Sequence, residues 1–160
     1  MSFPFQIIPQ NEAEQFMLEA LKEAWKAFKD EEVPVGAVLV KDNRVIARGY
    51  NQVERLKDAT AHAEMLCVTA GASALENWRL ADAVLYTTLE PCTMCAGALY
   101  LSRVSKVVYG APDIRHGALG SWINLKEKKH PTHEFAVEKG VLEAHCSELL
   151  KMFFQKRREK

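Results

Sequence analysis

Two short motifs in this chain combine side chains that bind metal ions with one that transfers protons. They are His62-Ala63-Glu64 and, thirty positions later, Pro91-Cys92-Thr93-Met94-Cys95. An imidazole and two thiolates are common zinc ligands, and three protein ligands leave one position of a tetrahedral ion open, as in catalytic sites. The motifs therefore predict a catalytic centre with one Zn²⁺ per subunit, held by His62, Cys92 and Cys95, and with Glu64 as the acid–base residue beside it.

The spacing of the cysteines fits the beginning of a helix. Cys92 and Cys95 are three residues apart, so both sulfurs fall on one helix face. Pro91 fits a first turn, whose N–H groups have no partner in the helix. Free N–H groups and the positive end of the helix dipole favour thiolate over thiol. His62 and Glu64 would diverge on a regular helix, so both can reach one site only at an irregular helix start.

Another interpretation of the same residues is structural. His62 and the two cysteines could form a closed zinc knot or lie among buried side chains. The nearby carboxylate of Glu64, the proline and the strand-like run between the motifs favour the catalytic interpretation.

Composition sets limits on the class of protein. The 160 residues are 48% hydrophobic and 26% charged, which is typical of one globular domain, here predicted over residues 1–160. Lys and Arg number 21 and so do Asp and Glu, for a net charge of zero. Any binding to nucleic acid must therefore depend on a local basic patch.

Features of the chain also indicate a compartment. Cys67 and Cys146 lie in apolar or helical patterns and are expected to be buried, so no disulfide framework is predicted. No apolar stretch is long enough to cross a bilayer, and the first ten residues lack the pattern of a signal peptide. These features predict a cytoplasmic protein without a membrane partner.

Hydrophobic periodicity predicts helices alternating with strands. Asn11 is expected to cap the first helix. Helices are predicted over 12–28, 62–74, 92–101 and 141–160; strands over 35–40, 45–48, 83–89, 106–109 and 135–137; and loops over 50–60 and 114–132. The first two strands form a hairpin and the later ones need crossovers, which predicts a mixed α/β sheet covered by helices.

With these residues in view, the chain resembles the bacterial-type tRNA-specific adenosine deaminases of the cytidine deaminase-like superfamily. The zinc motifs carry the resemblance to the superfamily, whose signature they share. Asn51, the 113–121 segment and the C-terminal matches point to the tRNA branch. The whole resemblance covers nearly the full chain and includes 32–38, 49–51, 60–64, 77–80, 85–98, 103, 107–111, 113, 117–121, 153–154 and 157–158.

The resemblance implies a three-layer α/β/α cytidine deaminase-like fold with a mixed, roughly five-stranded sheet. It also implies a homodimer that converts adenosine to inosine at the wobble position of a tRNA anticodon stem-loop. Glu64 would transfer protons, and Asn51 and the Ala63 backbone amide would contact the purine. Further contacts with the substrate are implied for four residues: Asp113, Phe153, Phe154 and Arg157.

Each implied contact has a simpler structural alternative. Asn51 could be a turn residue, Asp113 could cap a turn, and two adjacent phenylalanines could belong to the core. The basic end of the last helix could serve only to oppose the helix dipole. Pro112, His116 and the 130–133 segment depart from the bacterial pattern in loops expected to meet RNA.

Two other functions share much of this pattern. One is a free-base or nucleoside deaminase of the guanine or cytidine type, which would use the same metal ligands. The other is a noncatalytic, zinc-bearing RNA-binding partner, for which Glu64 would have no use.

Overall fold

A computed structural model describes residues 1–160 as five strands and five α-helices. In chain order they are α1 (Glu12–Lys29), β1 (Gly36–Lys41), β2 (Arg44–Tyr50), α2 (Val53–Leu56), α3 (Ala63–Leu75), β3 (Val84–Leu89), α4 (Thr93–Leu101), β4 (Lys106–Ala111), β5 (Ala136–Lys139) and α5 (Glu143–Arg158), with a short 3-10 turn at Leu125–Glu127.

The strands form one sheet in the spatial order β2-β1-β3-β4-β5. β1 is antiparallel to both β2 and β3, whereas β4 is parallel to β3 and β5. Parallel neighbours need crossover connections, and α4 supplies the one between β3 and β4. The prediction of a mixed five-stranded sheet is confirmed.

Hydrophobic residues cover both faces of this sheet. Along β1, Ala37 and Leu39 face a core that includes α3 and α4, while Val38 and Val40 face a second core that includes α1 and α5. This alternation follows from the period of two along a strand. The result is the three-layer arrangement that the sequence predicts.

Gly49 in β2 sets the position of α3. A Cβ at residue 49 would lie 2.6 Å from the Ala63 carbonyl oxygen and 2.9 Å from the Cys67 backbone nitrogen. Only glycine permits this close approach of helix and strand backbones. The contact fixes the beginning of α3, where the first metal-binding motif lies.

Element boundaries differ modestly from the prediction, and one element was missed. Asn11 caps α1 as predicted, its side chain accepting a hydrogen bond from the Glu14 N–H at 2.9 Å. The predicted loop 50–60 contains α2. The carboxylate of Glu32 accepts hydrogen bonds from the Glu54 and Arg55 N–H groups, at 2.9 and 2.8 Å. This remote acceptor satisfies the first turn of α2, so the local sequence could not indicate the helix.

The last helix begins at Glu143, two residues later than predicted. β2 and β4 each extend two residues beyond the predicted strands, and β5 runs over Ala136–Lys139 rather than 135–137. None of the helices is both long enough and apolar enough to span a membrane.

Candidate metal centre and active-site cleft

The candidate metal centre lies where two helices begin. His62 is the N-cap residue of α3 and Cys92 is the N-cap residue of α4, and neither side chain makes a capping hydrogen bond. Instead, the His62 Nδ1 atom lies 3.6 Å from the Cys92 Sγ and 3.5 Å from the Cys95 Sγ. The three ligand atoms all lie within 4.8 Å of one another.

These distances fit a zinc ion. Zinc–sulfur bonds of about 2.3 Å and zinc–nitrogen bonds of about 2.0 Å, at a tetrahedral angle, separate nitrogen from sulfur by about 3.5 Å. The observed separations of 3.5 and 3.6 Å match this value. The His62, Cys92 and Cys95 side chains are thus already arranged as three corners of a tetrahedral site.

The ionisation of the two thiols also fits a cation. Hydrogen bonds from Cys95 and then from His62 lower the pKa of Cys92 to about 3. The same contact with Cys92, together with burial, raises the pKa of Cys95. One thiol therefore ionises easily while its neighbour resists, because the second negative charge would lie beside the first. A divalent cation between them removes that repulsion.

Glu64 reaches the same site because the chain changes conformation between residues 62 and 63. His62 has an extended backbone, with φ −74° and ψ 152°, and α3 begins at the next residue. Two residues that would diverge on a continuous helix are therefore brought to one side. Burial raises the pKa of the Glu64 carboxyl to about 7, and a group of this pKa can both accept and donate a proton near neutral pH.

A cleft of about 560 Å³ opens over these residues, within the usual range for pockets that enclose a small organic ligand. Among the ten site residues named from the sequence, seven line it: Asn51, His62, Ala63, Glu64, Cys92, Asp113 and Arg157. Cys95 is fully buried behind the cleft, and Phe153 and Phe154 are not part of its wall.

Asn51 presents an unpaired acceptor to the cleft. Its Nδ2 donates a hydrogen bond to the Val33 carbonyl at 3.1 Å, and a carbonyl partner fixes which end of the amide is nitrogen. The Oδ1 atom is buried and has no partner. Buried polar atoms are nearly always hydrogen-bonded, so this oxygen is suited to a ligand that carries an N–H group.

Ala63 offers the complementary group. It is the first residue of α3, it is fully buried, and it lines the cleft. Backbone N–H groups in the first turn have no intrahelical acceptor. The Ala63 N–H can therefore donate to a ring nitrogen in the cleft.

Asp113 organises the loop on one side of the cleft. Its Oδ1 accepts hydrogen bonds from the Arg115 and His116 N–H groups, each at 3.1 Å. Its own N–H donates to the Glu90 carboxylate at 3.1 Å. Asp113 thus caps a turn, as one of the two interpretations of the sequence held, and it also lines the cleft.

The structure favours the core interpretation of Phe153, and its contact with the substrate stays a prediction. Phe153 is 4% exposed and packs edge-to-face against Phe28, with ring centroids 6.1 Å apart. Phe154 is 45% exposed and packs edge-to-face against Phe153, with ring centroids 5.3 Å apart. Arg157 lies over the Phe153 ring and donates from Nη2 to the Glu31 carbonyl at 3.2 Å, which leaves other N–H groups of its guanidinium available.

The cleft residues that were not identified from the sequence include Glu32, Glu90, His116 and Trp122. Glu90 accepts hydrogen bonds from the Leu119 and Ser121 N–H groups, at 3.0 and 3.1 Å, and from the Ser121 hydroxyl. A carboxylate directly before the Pro-Cys motif was the only available signal. His116 and Trp122 lie in the predicted 114–132 loop, which borders the cleft as expected, but nothing in its pattern indicates which side chains face inward.

Comparisons with known proteins agree with this geometry. Residues 10–111 match the family model described as the cytidine and deoxycytidylate deaminase zinc-binding region. The chain is 49% identical over 147 residues to a tRNA-specific adenosine deaminase of Bacillus subtilis, a match that covers 92% of this chain and 91% of the relative.

Two further relatives extend the comparison. A chloroplastic tRNA(adenine(34)) deaminase of Arabidopsis thaliana is 53% identical over 160 residues, and the match covers 90% of this chain but only 12% of that longer protein. A solved structure from a study of A-to-I editing by tRNA:A34 deaminases at the wobble position superposes with a TM-score of 0.81. It is 44% identical and the match covers 84% of this chain and 98% of that one.

Proposed function

Because this chain belongs to the tRNA-specific adenosine deaminases, within the cytidine and deoxycytidylate deaminase zinc-binding family, we propose that it hydrolyses adenosine to inosine at the wobble position of a tRNA anticodon. The reaction replaces the 6-amino group of the base by an oxygen from water and releases ammonia. One zinc-dependent deaminase domain, over residues 1–160, would carry the activity.

The observation that carries this proposal is the convergence of the zinc ligands and Glu64 in one cleft. His62, Cys92 and Cys95 would hold the ion, and Glu64 lies in the first turn of the helix that begins after His62. When bound in an open site, zinc supplies a water molecule that ionises near neutral pH. Glu64 is the buried carboxyl in position to carry a proton to the ring and then to the departing amine.

Adenine presents both kinds of group that the cleft can pair. Its exocyclic amine is a donor and its ring nitrogens are acceptors. The Asn51 Oδ1 atom would accept from the amine or another N–H group of the substrate, and the Ala63 N–H would donate to a ring nitrogen. These two contacts orient the base over the metal centre.

The RNA around the target base would contact the rim of the cleft. Wobble bases lie in a single-stranded loop, so little unstacking is needed for one to enter a pocket. Asp113 and Arg157 line the cleft, and the guanidinium of Arg157 suits a backbone phosphate. Phe154 has an exposed ring beside this basic end of α5, where it could stack on a base.

The substrate test uses an anticodon stem-loop with adenosine at the wobble position and zinc-replete protein. The expected product is inosine at that position and at no other adenosine of the loop. Guanine, cytidine and free adenosine are assayed in parallel. If a small substrate is deaminated efficiently and the stem-loop is not, the protein is a free-base or nucleoside deaminase. If no substrate is deaminated, the noncatalytic zinc-bearing RNA-binding protein is the remaining alternative.

We further propose a homodimer, in which the outer surfaces of α3 and α4 pack against a second copy. The two helices together contain a single charged residue, Glu64, and it is buried. Their solvent-facing positions include Leu66, Ala70, Ala98 and the 63% exposed Leu101. An exposed helix surface without charged residues and with several apolar side chains is typical of a surface that a partner covers.

Light scattering after size-exclusion chromatography tests the dimer. Leu101→Lys should shift the mass from two chains towards one. Ile8→Lys, at an even more exposed apolar position on the N-terminal segment, should not. A monomeric parent protein would contradict the proposal.

The cytoplasm remains our proposal for the location of this protein. Its four cysteines are all free thiols, which supports a reducing compartment.

A further inference from the structure

Trp122 is a largely exposed aromatic residue that also lines the cleft. The residue is 58% exposed, yet it lines the same cleft as Glu64 and Asn51. Exposed aromatic rings at the edge of a concave site mark contact surfaces for ligands more often than ordinary protein surface. The mechanism proposed above makes no use of this ring.

The backbone that carries Trp122 is held in place on several sides. The Trp122 and Ile123 N–H groups both donate to the Gly117 carbonyl, at 2.9 and 3.1 Å, and the Gly120 N–H donates to the Ile123 carbonyl at 2.9 Å. A bridge between Leu119 and Asn124 closes the turn.

The neighbouring residue provides a further anchor. Ser121 donates to the buried Glu90 carboxylate from both its N–H and its hydroxyl group. Glu90 in turn directly precedes Pro91 and the first thiol ligand, Cys92. Because the loop is fixed before any ligand arrives, little conformational entropy remains to be lost when a flat group stacks on the indole.

We propose that Trp122 is a specificity-determining residue: its indole stacks on the nucleobase that adjoins the target adenosine in the RNA strand. This inference rests on the proposed function and assigns a protein contact to the base beside the target. The target base occupies the interior next to Asn51 and Glu64, so the ring at the mouth meets the following or preceding base. Stacking is the main way in which proteins hold unpaired bases of RNA.

The side chains beside Trp122 favour RNA over a protein as the ligand that contacts the indole. Trp122 shares the cleft with the guanidinium of Arg157, which can pair with a phosphate, and with the imidazole of His116. A cation together with a flat ring is the combination that single-strand nucleic-acid sites use. A free nucleoside would fill the interior and leave the indole uncovered.

The first test compares substrates on two tryptophan variants. Trp122→Ala should lower kcat/KM for the stem-loop by about 5- to 150-fold, the range measured for loss of one base-stacking side chain. Trp122→Phe should retain most of the activity. Trp78→Ala is the matched control, since Trp78 is 52% exposed and does not line the cleft. It should behave as the parent protein.

The second test locates the partner base. Stem-loops are prepared with an abasic nucleotide on the 5′ or the 3′ side of the wobble adenosine. On one of these two abasic loops, kcat/KM of the parent protein should fall by about the same factor as Trp122→Ala lowers it on the intact loop. The kcat/KM of Trp122→Ala should be the same on that abasic loop as on the intact loop. Equal activity of Trp122→Ala and parent on the intact loop would overturn the inference.

A second outcome would also overturn the inference: Trp122→Ala has the same loss of kcat/KM relative to the parent protein on both abasic loops as on the intact loop. The indole would then contact something other than an adjoining base. Failure of the parent protein to deaminate any stem-loop is a different outcome. It would overturn the proposed function itself, before the variants are compared.

Discussion

Glu90 and Gly117 lie so close together that no side chain fits between them. A Cβ at residue 117 would be 2.4 Å from both the Cδ and the Oε2 atom of Glu90. Gly117 is thus the position at which the loop passes over the carboxylate that anchors it. The wall of the cleft and the metal-binding turn are joined by this contact, since Glu90 precedes Pro91 and Cys92.

Gly117→Ala should therefore loosen the cleft wall. Forcing a methyl group into a packed contact costs about 1–3 kcal/mol, which we expect in the free energy of unfolding. Because the displaced loop borders the substrate cleft, KM for the stem-loop should rise more than kcat falls. Glu127→Ala, at an exposed position of the same connection between β4 and β5, is the control and should leave both quantities unchanged. Denaturant unfolding and steady-state kinetics give the two quantities, and unchanged values for Gly117→Ala would contradict the packing argument.

Glu64→Gln should abolish turnover while leaving the metal site intact. The amide keeps the size of the side chain but cannot accept and donate the proton, a role worth about 10²- to 10⁴-fold in rate. Zinc content by elemental analysis should stay at one ion per chain. Glu148→Gln, an exposed position on α5, is the control and should retain full activity. A Glu64→Gln variant with parental turnover would show that another group carries the proton.

Zinc removal should lower thermal stability because the ion links the beginnings of α3 and α4. Binding at a thousand times Kd contributes about 4 kcal/mol, which corresponds to a change in Tm on the order of 10 °C for a chain of this size. Calorimetry before chelation, after chelation and after zinc is restored should show a reversible shift. If chelation leaves Tm unchanged, the ion does not link the two helices.

Two cysteine variants separate ligand loss from core damage. Cys92→Ala should reduce bound zinc and eliminate activity, whereas Cys67→Ala should keep the zinc-to-protein ratio of the parent. Cys67 is a buried core residue whose thiol donates to the Ala47 carbonyl at 3.7 Å, and it is not one of the three candidate ligands. Loss of zinc from Cys67→Ala would indicate that the site depends on core packing as much as on its ligands.

Replacing the two adjacent phenylalanines should affect stability very differently. Phe153→Ala removes a core ring and should cost about 3–5 kcal/mol of stability. Phe154→Ala changes an exposed side chain, so its stability should stay within about 0.5 kcal/mol of the parent. Its affinity for the stem-loop should fall if the ring stacks on a base. Equal effects of the two variants on unfolding would contradict the observed burial.

The metal centre could be named from the sequence because its residue types and spacing are rare together. The order of strands followed from the hairpin and the crossovers. The placement of Glu64 did not follow, since it depends on His62 remaining extended at the helix N-cap, a backbone detail that the spacing cannot specify.

Other features depend on contacts between distant residues. α2 exists where a loop was expected because Glu32, more than twenty positions earlier, pairs with its first N–H groups. Phe153 and Phe154 differ by one helical step, so which of them points inward is decided by how α5 lies on α1. Trp122 sits in a segment without periodicity, where no pattern indicates the direction of a side chain.

The separation of only one residue between His62 and Glu64 has a consequence for how this protein can change over time. The ion and the proton carrier are tied by covalent geometry, so their mutual arrangement survives almost any remodelling elsewhere. The walls around them come from remote loops secured by their own buried acids. Substrate preference can therefore change through substitutions in those loops, for example of an aromatic residue at the entrance, while the residues of the hydrolytic step stay the same.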